Sequence, residues 1–196
     1  MRTRTALAAA TAAALAIPGA ATAAPRPAAK PKPLCNLVTD PSGDVATGAK
    51  ATDIVGGDIV SVDGRKVTVL IRLAKAAAPG GDTGTPTGGF YQFQFTHNGV
   101  GVTLSAHVTQ AGTSFSPGKA TGSYDVATNS LTITASPGDF PGGPVFKKGE
   151  LLTDLVIRTD VGNPTVPIGT TLHIAGDTAQ GTKPYPVGAS SCVRQG

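Results

Sequence analysis

The reactive groups of this 196-residue chain are few: three histidines, twelve carboxylates and two cysteines, beside its hydroxyls. A Ser, Thr or Cys nucleophile needs a base next to it and a third group to orient that base. His97, His107 and His173 are the imidazoles that could serve. The chain has no Gly-x-Ser-x-Gly elbow, and each histidine reads as an ordinary strand residue. Glycosidase chemistry needs two carboxyl groups flanking a sugar bond. Eleven of the twelve acids are Asp, and several stand where Asp favours turns: Asp40 before Pro41, Asp44 after Gly43, Asp63 before Gly64. No catalytic constellation is expected. The alternative is a hydrolase with an Asp-based site in the long loops around Asp82 and Asp139.

Two binding chemistries are better supported. Asp40, Asp44, Asp53 and Asp58 cluster in one Gly-rich stretch, and oxygen-rich loops of this kind hold Ca²⁺. The spacing is not that of an EF-hand, so the expectation is a structural Ca²⁺ or, alternatively, a solvated acidic turn. No other cofactor is expected. The second is a row of amides and hydroxyls at alternate positions: Gln92, Gln94 and Thr96, then Thr103, Ser105 and His107. Such side chains can pair with sugar hydroxyls; a plain solvent-facing β surface is the other reading.

Those six residues must be positioned by a hairpin over residues 90–108. Asn98-Gly99 separates two alternating runs, and a type I′ turn there needs φ > 0 at both central residues. Counting outward sets Phe95 opposite Val102, Phe93 opposite Leu104, Tyr91 opposite Ala106, and Phe90 opposite His107. Gln94 then meets Thr103 and Gln92 meets Ser105. One face is apolar and the other polar in both strands at once, and a slip of one residue would destroy that agreement.

The other elements follow the same rhythm. Residues 34–39 read as a short first strand. Residues 53–62 and 65–74 read as a hairpin turning at Asp63-Gly64, and residues 122–126 and 131–135 as a third. Residues 75–89 form a long Gly/Pro/Thr loop. Residues 150–158 start with helix-like spacing but contain the strand formers Leu155, Val156 and Ile157. Further strands are expected over 170–175 and 185–192. About nine strands with no sustained helical period predict an all-β fold, an antiparallel β-sandwich of jelly-roll or immunoglobulin-like type.

Residues 1–24 have Arg2 and Arg4, a 12-residue apolar run over 6–17, and the small residues Ala21-Thr22-Ala23, the pattern of a secretory signal peptide. A Pro/Ala/Lys linker over 25–33 follows, then one domain over 34–196. The signal and linker hold five of the 16 cations and none of the acids, leaving 11 cations against 12 anions in the domain. The net charge of +4 is therefore not a basic surface, and neither a nucleic-acid partner nor a membrane span is expected. In an oxidising compartment Cys35 and Cys192 most simply pair, which would bring the two ends of the domain together.

The run Asp40-Pro41-Ser42-Gly43-Asp44, with the hairpin Asp58-Ile-Val-Ser-Val-Asp63-Gly64 and its long apolar partner strand, resembles the start of DOMON-like β-sandwich modules. That group includes family-9 carbohydrate-binding modules and glucodextranase C-terminal domains, and the likeness covers residues 35–75. The resemblance implies a non-catalytic module of a group whose members often bind sugars and often carry calcium near the first Asp-rich turn. Together these readings predict a secreted, non-enzymatic module whose partner is a glycan or cell-wall polymer; a purely structural or interaction module is a further alternative.

Overall fold

The computed structural model describes residues 33–45, 50–78, 88–162 and 173–192. The predicted signal peptide, nearly all of the linker and most of the 75–89 loop, Asp82 included, lie outside them. Among the described residues eleven strands form two antiparallel sheets. They are β1 (Val38–Thr39), β2 (Ile54–Val62), β3 (Val67–Leu73), β4 (Gly89–His97), β5 (Val100–Thr109), β6 (Gly112–Ser116), β7 (Thr121–Asp125), β8 (Ser130–Ala135), β9 (Leu151–Gly162), β10 (His173–Gln180) and β11 (Tyr185–Pro186). One sheet runs β1-β2-β3-β8-β7 and the other β10-β9-β4-β5-β6, with β11 pairing β9. The strand count exceeds the expected nine. β6 carries one large apolar residue, Phe115, and β11 is two residues long, so neither shows a period to read.

The two sheets bury a shared core. Val67, Val69 and Ile71 from β3, and Leu131 and Ile133 from β8, meet Phe93, Phe95, Leu104 and Ile157 from the second sheet. The β4–β5 hairpin has the predicted register at every pair, from Phe95↔Val102 out to Phe90↔His107. Asn98 and Gly99 have φ of 50° and 78°, the left-handed values the two-residue turn requires. Tyr91, Phe93, Phe95, Leu104 and Ala106 are buried, while Gln92, Gln94, Thr103 and Ser105 stand half-buried on the opposite face. His97 falls on the buried face, at 3 % exposure.

The β2–β3 connection differs from the predicted two-residue turn. Val62 pairs with Val67, so four residues make the loop. Asp63 explains the difference: its Oδ1 accepts the N–H groups of Arg65 and Lys66 at 2.7 and 2.9 Å. A short side chain that satisfies two loop amides stabilises the longer turn.

β9 explains its own helix-like spacing. Gln94 pairs with Val156 and Thr96 with Thr153, so β9 spends one residue more than β4 over this step. Asp154, with φ of 51°, lies in that bulge. An inserted residue shifts the pleat by one, so Leu152 and Leu155, three apart, both point into the core.

The ends of the domain are joined as expected. Cys35 and Cys192 form a disulfide with Cα atoms 5.3 Å apart. Beside it Leu34 N–H donates to Ser190 O at 2.9 Å, and Cys192 N–H donates to Leu34 O at 3.2 Å. Closing a loop of 157 residues restricts the unfolded chain by about 5 kcal/mol in the entropic account. Among the described residues no helix is long and apolar enough to cross a membrane.

Candidate functional site

The polar face of the β4–β5 hairpin forms part of a cleft of about 860 Å³. That volume lies in the range of small-molecule and oligomer sites. Gln92 of β4, Thr103 and Ser105 of β5, and Ser116 at the end of β6 supply polar groups. The opposite wall is the connection from β8 to β9, through Phe140, Pro141, Gly142, Pro144 and Val145. Val100 and Val145, 62 % and 69 % exposed, give the rim an apolar edge together with Pro117, Pro141 and Pro144.

The wall is anchored to the hairpin. Phe140 and Phe146 are buried in the core, 6 % and 4 % exposed. Phe146 packs against the rings of His97 and Phe95 at 4.7 and 6.3 Å. His97 Nε2 lies 2.8 Å from Glu150 Oε2, and the same oxygen accepts Lys147 N–H at 2.8 Å. The Lys147 amide and, after it, His97 hold the Glu150 carboxyl below the usual range. His97 and Glu150 also line the cleft where the wall meets the turn. His97 and Glu150 are 53 residues apart in the chain, and no short-range pattern connects them.

Three of the six predicted face residues, Gln92, Thr103 and Ser105, line the cleft. Gln94, Thr96 and His107 do not. Gln94 Nε2 donates to Gln92 Oε1 at 3.0 Å, which orients the Gln92 amide. His107 stacks on Phe90 with ring centroids 4.2 Å apart and planes at 6°, farther along the hairpin.

The acidic stretch is rearranged relative to expectation. Asp58 stands apart from the other three. Its carboxylate, 3 % exposed, accepts Arg72 Nη1 at 2.7 Å and Leu37 N–H at 2.9 Å, fixing β1 against β2. Asp40 and Asp44 instead meet Asp177 from β10, with one carboxylate oxygen from each within 4.8 Å of the others. Burial first, and then the charges of Asp177, Asp44 and Asp53, push Asp40 up to about 6. Asp53 is 2 % exposed; its Oδ2 accepts Gly43 N–H at 2.8 Å and Ser42 Oγ–H at 3.4 Å. Asp177 was not singled out in the sequence. It lies on a different sheet, and its Oδ2 accepts Ile54 N–H at 2.8 Å across the sandwich.

Asp139, a residue of the alternative hydrolase reading, serves local structure. Its carboxylate accepts Lys119 N–H at 3.2 Å and Ser136 N–H at 2.9 Å, capping the short 3-10 turn Pro137–Asp139.

No protein-family model matches this chain, and no curated protein matches it.

Proposed function

We propose that this protein is a secreted, non-enzymatic module that binds an extracellular or cell-wall glycan in the cleft over β4 and β5. The observation that carries this reading is the composition of the cleft. Its floor offers the amide of Gln92 and the hydroxyls of Thr103, Ser105 and Ser116, while its rim offers Val100, Val145 and three prolines. Sugar rings present hydroxyl groups at their edges and apolar C–H groups on their faces, so a polar floor and an apolar rim suit one saccharide chain. The chain has no Trp, and the aliphatic rim takes the place of an aromatic stacking platform. The signal-like residues 1–24, the disulfide and the resemblance of residues 35–75 to sugar-binding β-sandwich modules support export and the ligand class.

The test is retention of the chain lacking residues 1–24 on a glycan array and on isolated cell walls. The expected result is binding to a polysaccharide that Ser105→Arg, which fills the cleft floor, abolishes while the fold is kept. Retention on no glycan and no wall fraction would overturn the reading, as would binding that Ser105→Arg leaves intact.

A further inference from the structure

β5 is only partly covered on its outer side. β4 pairs with it along its length, from His97↔Val100 to Gly89↔Val108. β6 pairs with it only from Ser105↔Ser116 to Thr109↔Gly112. Pro117, which has no N–H to donate, follows Ser116, and the chain turns there, with Ala120 N–H donating to Pro117 O at 2.9 Å. Residues 100–104 therefore have no strand on that side among the described residues. In an antiparallel ladder the two residues flanking a two-residue turn bond each other, and alternate residues turn their N–H and C=O outward. His97 and Val100 flank the turn, so Gly101 and Thr103 direct their backbone groups away from β4. None of those groups has a partner among the described residues. They open onto the cleft. Val102 is 5 % exposed with its side chain in the core, yet it lines the cleft, and it does so with its backbone. Gly101 lines it too, and a Cβ there would meet nothing within 4 Å. Bare backbone of this kind lets another chain approach closely.

We propose that the glycan held in this cleft carries short peptides, and that one such peptide adds as a strand to β5 along Gly101 and Thr103. This deepens the glycan reading and rests on it. An extended peptide repeats its own N–H and C=O groups at the spacing of the free edge, which a sugar ring does not. The two chemistries lie side by side: Gly101 and Ser105, whose hydroxyl belongs to the polar floor, stand about 13 Å apart along the strand. A sugar over Gln92 and Ser105 thus leaves a peptide branch within reach of the edge. Peptidoglycan is a polymer of this class. The wall of residues 140–145 stands across the cleft, so the edge admits one extended segment and not the sheet of a second copy.

The experiment compares co-sedimentation of the chain lacking residues 1–24 with intact peptidoglycan and with the same glycan after an amidase has removed its peptides. Amide exchange at Gly101 and Thr103 is followed by NMR with soluble fragments of both. The expected result is binding to the intact polymer that becomes about tenfold weaker after peptide removal, as the loss of a pair of backbone hydrogen bonds implies. The two amides should exchange freely in the unbound chain and become protected only with the peptide-bearing fragments. Gly101→Pro deletes one outward N–H, which an edge position tolerates, and should weaken binding of the intact polymer to the level of the peptide-free glycan. Gly101→Ala keeps that N–H, has open space for its Cβ, and should bind as the parent does. Equal binding to both polymers would overturn the inference and leave the glycan reading standing. Binding to neither would overturn it as well, and the glycan reading would then stand or fall on the array alone. Amides already protected in the unbound chain would also overturn it, since a second copy would then hold the edge.

Discussion

His97 Nε2 and Glu150 Oε2 meet at 2.8 Å across the seam between the β4–β5 turn and the wall of the cleft. The carboxylate is shared with the Lys147 amide, so one side chain closes both the turn after Phe146 and the contact to the hairpin. Glu150 is held below its ordinary 4.5, first by the Lys147 N–H and then by His97. A lowered carboxylate pKa means the folded state binds the proton less readily than the unfolded chain. The stabilisation is therefore present above about pH 4.5 and is lost as pH falls through the folded value. Thermal melts from pH 7 to pH 3 should show a steeper acid loss in the parent than in Glu150→Gln. Parallel curves would mean that the contact contributes nothing to folding.

Asp58 of β2 and Arg72 of β3 form an ion pair, and the aspartate, 3 % exposed, also accepts Leu37 N–H beside β1. Arg72→Met keeps the apolar stem and removes the charge, leaving a buried carboxylate with one backbone donor. Breaking one side of such a pair costs about 3 kcal/mol. The double variant Arg72→Met/Asp58→Asn should recover part of that loss, since no uncompensated charge remains. Urea unfolding of the four proteins in the cycle checks both statements.

Gly57 of β2 faces Ile157 and Phe93 of the other sheet. A Cβ there would collide with the Ile157 side chain and come within 2.7 Å of Leu70 O. Backbone cannot yield as a side-chain tip can, so Gly57→Val should cost roughly 1 to 3 kcal/mol by overpacking. A fall in urea midpoint at unchanged slope is the expected readout. By contrast Gly64, with nothing within 4 Å of its would-be Cβ, should accept Ala with little change.

Replacing both cysteines by serine removes the constraint on the unfolded chain without disturbing the Leu34–Ser190 backbone bond. The expected loss is roughly 2 to 5 kcal/mol, with the native sheet signature retained in circular dichroism at low temperature. An unchanged Tm would show that the disulfide is dispensable for folding.

The β4–β5 hairpin was legible because its information is local: a two-residue period and an Asn-Gly turn decide both register and facing. The disulfide was legible for a compositional reason, two cysteines at opposite ends and none between. The wall of the cleft was not. Residues 140–146 read as a Gly/Pro connection, and the pattern does not say that Phe140 and Phe146 anchor it in the core. Leu152 and Leu155 suggested a helical turn because a bulge imitates that spacing. Asp177 stayed hidden because its nearness to Asp40 depends on where β10 crosses the start of β2, a relation between sheets that no short window contains.

The sulfur bridge makes residues 35–192 a covalent ring. One proteolytic cut in any loop between the two cysteines opens that ring without releasing a fragment, and the strands on either side of the nick stay paired through the sheets. A nicked molecule would migrate as two pieces only after reduction, and it would keep its folded shape until then.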